Sequence, residues 1–78
     1  MEEKIVELLV RFCEDEVVGE DRDLDLFEED LLDSLAFAEL LYAFEEELGV
    51  IIAPSEVARE DINTTNKIIK VVMERANQ

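Results

Sequence analysis

The chain has 78 residues, of which 49% are hydrophobic, and this length and composition fit one small folded domain with a single core. Twenty-two aspartate and glutamate residues against seven lysine and arginine residues give a net charge of −15 at pH 7. So acidic a surface excludes nucleic acid and anionic membranes as partners and favours basic protein surfaces.

The N-terminal residues 1–5 have neither a basic start nor a long apolar run, so we expect no secretory signal peptide. No stretch of the sequence approaches the roughly 18 apolar residues of a membrane-spanning helix, and we expect no membrane insertion. The single cysteine, Cys13, has no partner for an intramolecular disulfide, which is typical of a reducing compartment. We therefore expect a cytoplasmic protein.

The predicted first helix runs from Glu2 to about Glu16, and the acids of its first turn complement the helix dipole. Its apolar face is formed by four residues at helical spacing: Ile5, Leu8, Leu9 and Phe12. Cys13 lies beside this face. Because the chain has no histidine that could activate a thiol, we interpret Cys13 as a small buried residue.

The segment from Val17 to Asp33 is predicted to be a long acidic connection, with Gly19 as a helix breaker. Five apolar residues interrupt its charges: Leu24, Leu26, Phe27, Leu31 and Leu32. We expect these residues to anchor the connection against the helices, so that it forms a packed loop rather than a free tail.

Within this connection Asp21, Asp23 and Asp25 alternate as they do in calcium-binding loops of the EF-hand type. A loop counted from Asp21 has Leu26 at the position that needs glycine. It also has Leu32 at the position that needs a bidentate glutamate. The sequence therefore predicts no EF-hand calcium site.

The predicted second helix runs from Ser34 to Leu48 and ends at Gly49, which tolerates the left-handed conformation of a helix cap. Either Asp33 or Ser34 can cap its start. At about 100° per residue, its core face holds Phe37, Leu40, Leu41, Phe44 and Leu48. A separate arc combines apolar residues with carboxylates, a pattern typical of a protein-binding surface: Leu35, Ala38, Glu39, Tyr42, Glu45 and Glu46.

The apolar run Val50–Ile52 is closed by Pro54 and has no second run to pair with, so we interpret it as a buried connector. Residues 55–59 are predicted to form a short helix. Thr64 or Thr65 caps a last helix whose core face holds Ile68, Ile69, Val72 and Ala76. The prediction is one all-α domain over residues 1–78, a bundle of three principal helices plus one short helix.

The tripeptide Asp33-Ser34-Leu35 at the head of the second helix, in a chain of this length, charge and helix order, resembles the acyl and peptidyl carrier proteins. The resemblance covers essentially the whole chain. It implies that a phosphopantetheinyl transferase moves 4′-phosphopantetheine from coenzyme A to Ser34, and that cargo is then held as a thioester on that group. It also implies that Asp33 lies near the magnesium ion used in the transfer. A phosphodiester is favourable at a helix start, where free N–H groups and the positive dipole end lie.

The resemblance further implies that the exposed arc of the second helix docks a cargo-activating ligase or an acyltransferase through a basic surface. The protein would then be a substrate of enzymes and not an enzyme, because no histidine is present to serve Ser34 as a base. We expect a monomer. An alternative function is an unmodified acidic module that binds a basic protein through the same arc.

Within the family, the runs DLFEEDLLDS (residues 25–34) and EDINTTNKII (residues 60–69) look most like the D-alanyl carrier proteins, which supply D-alanine for esterifying teichoic acids. Fatty-acid-type carriers usually have Gly-Ala before Asp-Ser-Leu, where this chain has two leucines. The chain departs from the D-alanyl pattern at Asp30, Leu35, Ile62 and Thr65. The resemblance therefore implies D-alanine as cargo. The alternatives are a stand-alone peptidyl carrier of another amino acid, or an acyl carrier of fatty-acid, polyketide or specialised lipid synthesis.

Overall fold

The computed structural model describes residues 1–77. It contains four α-helices, α1 (Glu2–Cys13), α2 (Val17–Glu20), α3 (Ser34–Leu48) and α4 (Thr65–Ala76), and two 3-10 turns, Pro54–Glu56 and Arg59–Asp61. No β-strand occurs in the described residues. The predicted all-α fold with three principal helices is confirmed.

A single hydrophobic core lies where α1 packs against both α3 and α4. The predicted core faces supply ten of its sixteen buried hydrophobic residues: Ile5, Leu8, Leu9, Phe37, Leu40, Leu41, Phe44, Ile68, Ile69 and Val72. Phe12, Leu48 and Ala76, at the ends of these faces, are half-buried and pack against the core. Burial of these side chains is the main favourable contribution to folding.

α1 ends at Cys13, whereas the sequence predicts a helix that runs to about Glu16. The helix stops because Glu14 takes a left-handed conformation with a φ of 55°. The Asp15 carboxylate then accepts a hydrogen bond from the backbone N–H of Val17 at 2.9 Å, and α2 starts at that residue.

The prediction that Gly19 breaks a helix is wrong, because Gly19 lies inside α2. A Cβ atom added to Gly19 would lie 3.1 Å from Cγ1 of Val6, so the missing side chain lets α2 approach α1 closely. Val18, which directly precedes Gly19 in α2, is fully buried. The connection therefore begins with one short packed helix.

The rest of the connection, residues 21–33, packs on the bundle as predicted. Leu26 and Leu32 are buried, and the other three apolar residues are half-buried: Leu24, Phe27 and Leu31. The backbone N–H of Leu26 donates to the carbonyl oxygen of Asn63 at 2.8 Å, and the Asn63 side-chain amide donates to the Asp25 carboxylate at 3.1 Å. These bonds hold the connection against the start of α4.

The segment between α3 and α4 differs from the prediction in two respects. Val50 and Ile52 are buried as expected, but Ile51 is 64% exposed. In place of a short helix over residues 55–59, the chain makes the two 3-10 turns, with Val57 half-buried between them. Pro54 favours the first turn, because its ring fixes φ and its missing N–H is not needed at the start of a helical turn.

Candidate functional site

Ser34 is exposed and occupies the first position of α3. Asp33 is the residue that caps this helix: its backbone is extended, and its Oδ1 accepts a hydrogen bond from the backbone N–H of Ala36 at 2.7 Å. The Asp33 carbonyl oxygen accepts the first intrahelical bond, from Phe37 at 2.8 Å. Because Asp33 makes the cap, the Ser34 hydroxyl is not used to start the helix.

The backbone N–H groups of Ser34 and Leu35 lie in the first turn of α3, before the Ala36 N–H that donates to the Asp33 carboxylate. Such N–H groups have no partner within a helix and carry the positive end of its dipole. The exposed Ser34 hydroxyl lies beside these N–H groups. This position is chemically suited to carry a group that is linked through phosphate.

A cleft of about 240 Å³ opens beside Ser34. Its walls come from the connection, α3 and the segment that contains the two 3-10 turns: Phe27, Phe37, Pro54, Val57, Arg59 and Ile62. The Phe27 and Phe37 rings meet edge to face, with centroids 6.2 Å apart. The cleft is therefore mostly apolar, with a serine hydroxyl at its rim.

Arg59 and Phe27 belong to this cleft, and the sequence alone does not indicate either as a site residue. The Arg59 guanidinium carbon lies 4.7 Å from the centroid of the Phe27 ring, a cation–π arrangement. Residues 27, 37 and 59 come together only through the tertiary fold. The only sequence signal is a cation in a strongly acidic chain.

The six residues of the predicted binding arc are all exposed on α3: Leu35, Ala38, Glu39, Tyr42, Glu45 and Glu46. Leu35 and Tyr42 are 71% and 61% exposed, large fractions for apolar side chains. The nearby Glu46 carboxylate, as an acceptor and as a negative charge, raises the pKa of Tyr42 above its ordinary value, with desolvation and the charge of Glu45 as smaller causes.

Ile51 extends this arc, although its place in an apolar run predicts a buried residue. It lines a shallow depression together with Ala38, Tyr42 and Glu45. The alternation of buried and exposed residues over Val50–Ile52 is the cause, because an extended segment turns successive side chains to opposite sides. Exposed apolar surface thus continues from α3 onto the following segment.

Cys13 does not line the cleft beside Ser34. Desolvation by burial, with the negative charge of Asp15 as a second cause, raises the pKa of Cys13 to about 11. A thiol with such a pKa is almost entirely protonated at neutral pH and is a poor nucleophile. Cys13 is half-buried, whereas the sequence predicts a buried residue, and it packs against the core.

In residues 1–77, no group of three or more histidine, cysteine, aspartate or glutamate side chains is arranged to hold a metal ion. Over the same residues, no helix combines the length and the apolar character needed to cross a membrane.

Comparison with known proteins bears on this site. The sequence model of the family described as phosphopantetheine attachment site matches residues 3–72. The chain is 48% identical over 75 residues to the D-alanyl carrier protein of Abiotrophia defectiva, an alignment that covers 96% of this chain and 95% of that protein. It is 39% identical over 72 residues to the D-alanyl carrier protein of Bacillus licheniformis, with 92% of each chain covered. The D-alanyl carrier protein of Bacillus cereus is 38% identical over 72 residues, with 92% and 91% covered.

Proposed function

The chain belongs to the family of phosphopantetheine-binding carrier domains, and we propose that it is a D-alanyl carrier protein whose Ser34 hydroxyl bears the 4′-phosphopantetheine group. The observation that carries the cargo assignment is the 48% identity with a D-alanyl carrier protein over nearly the full length of both chains. The exposed position of Ser34 at the start of α3 supports the choice of attachment residue.

The residues around Ser34 fit a phosphodiester. The hydroxyl is exposed, Asp33 supplies the cap in its place, and the first-turn N–H groups favour an anion. Asp33 Oδ1 is engaged with Ala36, and we propose Oδ2 as the oxygen that approaches the magnesium ion during the transfer catalysed by a phosphopantetheinyl transferase. When bound, the group supplies a terminal thiol that holds the cargo as a thioester.

The chain itself acts as a substrate and shuttle for other enzymes. Ser34 has no histidine anywhere in the chain to serve as its base, so turnover by this serine is not part of the proposal. We place the protein in the cytoplasm as a monomer, a proposal that rests on its single cysteine and its strong self-repelling charge.

We propose that its partners dock on the exposed arc of α3. These partners are the phosphopantetheinyl transferase and a ligase that activates D-alanine. The apolar contacts would come from Leu35, Ala38 and Tyr42. The carboxylates Glu39, Glu45 and Glu46 would steer a basic partner surface, a role that affects association rate more than the stability of the fold.

The cargo is tested with protein that has first been converted to its phosphopantetheine form. One sample is incubated with D-alanine, ATP and the D-alanine-activating ligase, and a second with malonyl-coenzyme A and a malonyl-transferring enzyme. We expect the mass to rise by one D-alanyl group in the first sample only, and the gain to be lost on treatment with hydroxylamine, which cleaves thioesters.

The acyl carrier alternative has one observation in its favour, the apolar walls of the cleft beside Ser34. Loading with malonyl and not with D-alanine would establish that alternative and overturn the D-alanyl proposal. Ser34→Ala is the control for both samples and is expected to accept neither cargo. Ser55→Ala removes a hydroxyl from the exposed 3-10 turn and is expected to load like the native chain.

A further inference from the structure

Arg59 is the only charged residue, among residues 1–77, that lines the cleft beside Ser34. It begins the second 3-10 turn, and its guanidinium lies over the Phe27 ring at 4.7 Å. Phe27 in turn contacts Phe37, one turn of α3 beyond Ser34. The cation is thus held at the cleft by aromatic packing.

Most other cations of the chain are held by acidic groups, although Lys67 and Lys70 form no salt bridge with the described residues. Four of the seven lysine and arginine side chains form salt bridges with carboxylates: Lys4, Arg11, Arg22 and Arg75. Arg59 forms none with any residue that the structure describes, although the chain has 22 acidic residues. A guanidinium placed on an aromatic ring keeps its N–H groups available to an anion.

A phosphodiester on Ser34 would add a negative charge next to Asp33, in a chain that already carries −15. Like charges so close are unfavourable unless a cation is near. A guanidinium is the side chain best suited to hydrogen-bond phosphate oxygens, because its donors form a planar fork.

We propose that Arg59 binds the phosphate of the attached 4′-phosphopantetheine group, and so holds the near end of that group at the cleft between α3 and the second 3-10 turn. The proposal rests on the proposed function, because it needs the group to be on Ser34. Arg59 is then a positioning residue that binds the group after its transfer. Attachment itself does not require Arg59.

The first experiment observes the native chain before and after conversion by a phosphopantetheinyl transferase. Two-dimensional proton–nitrogen spectra record the side-chain Nε–Hε resonance of each arginine, and the spectrum of Arg59→Lys identifies the one that belongs to Arg59. We expect this resonance to shift on conversion. The resonance of Arg75, which pairs with Glu56, is the internal control and is expected to stay in place.

The second experiment compares melting temperatures at low salt for the unmodified and modified forms of four proteins: the native chain, Arg59→Gln, Arg59→Lys and Arg11→Gln. Arg11→Gln removes the same charge from a different site, where Arg11 pairs with Glu47. On modification, the melting temperature should change by at least about 6 °C more favourably in the native chain and in Arg11→Gln than in Arg59→Gln. This is the size expected of one charge-assisted hydrogen bond in a domain of this length. Arg59→Lys, which keeps the charge without the fork, is expected to fall between them.

Comparing each protein with its own modified form removes any effect of Arg59 on the unmodified fold. If the native chain is modified but the Arg59 resonance moves no more than that of Arg75, this inference is overturned and the proposed function stands. If modification changes the melting temperatures of Arg59→Gln and Arg11→Gln equally, this inference is also overturned and the proposed function stands. A native chain whose mass stays unchanged after treatment with the transferase overturns the proposed function, and this inference with it.

Discussion

The side-chain amide of Asn63 donates a hydrogen bond to the Asp25 carboxylate at 3.1 Å and so joins the acidic connection to the residues before α4. The same carboxylate accepts hydrogen bonds from the backbone N–H groups of Phe27 and Glu28, at 3.1 and 3.0 Å. Phe27 forms a wall of the cleft beside Ser34. Asp25 therefore connects the stability of the fold to the shape of the candidate site.

Asp25→Ala is expected to lower the free energy of unfolding by about 1–2 kcal/mol, because three N–H donors lose their acceptor. Glu29→Ala removes the same charge from an exposed position of the same connection. We expect it to change the free energy of unfolding by less than about 0.5 kcal/mol. Urea unfolding followed by circular dichroism measures both variants, and equal losses would contradict a structural role for Asp25.

Asp30 has a φ of 57°, in the left-handed region that favours glycine. It is also one of the positions at which the chain departs from the D-alanyl pattern in the sequence analysis. Asp30→Gly is expected to be more stable than Asp30→Ala by about 1 kcal/mol, because both remove one charge and only glycine avoids the steric cost of a Cβ at this φ. Thermal melting of the two variants tests this, and an alanine variant as stable as the glycine variant would disprove it.

Cys13 is expected to react slowly with iodoacetamide, because its pKa of about 11 leaves little thiolate at pH 8. A thiol with the ordinary pKa of 9.0 would have roughly a hundredfold more thiolate at that pH. Alkylation of the folded chain should therefore be about a hundredfold slower than that of the chain unfolded in urea. The folded rate should keep rising with pH to about 11. Equal rates at pH 8 would contradict the burial of this thiol.

Glu39→Lys and Glu45→Lys are expected to lower the rate constant for loading by the ligase about tenfold at low salt, since they reverse charges that steer a basic partner. Glu7→Lys makes the same charge change on an exposed position of α1 and is expected to have little effect. At about 0.5 M salt the three variants should converge, because screening removes long-range steering. If Glu7→Lys lowers the loading rate constant equally, the effect comes from net charge alone, and the proposed docking face on α3 is contradicted.

The sequence predicts α3 to the residue because both of its ends carry local signals. Asp33 supplies a side-chain cap at the start, and Gly49 takes a left-handed φ of 70° at the end. The core face follows from the helical period alone. These are local properties, and a single chain segment determines them.

The parts that the sequence does not predict depend on contacts between distant segments. α2 is too short for a hydrophobic period, and its glycine is explained by the close approach to Val6. The cleft brings together Phe27, Phe37 and Arg59 from three separate segments. No spacing in the sequence predicts that these side chains meet, so the role proposed for Arg59 required the fold.

The most direct test of the account is the intact mass of the chain after incubation with coenzyme A, magnesium and a broad-specificity phosphopantetheinyl transferase. We predict a gain of one phosphopantetheine in the native chain and in Ser55→Ala, and no gain in Ser34→Ala. A native chain with unchanged mass, or a Ser34→Ala chain that still gains the group, would contradict the assignment of Ser34 as the attachment residue.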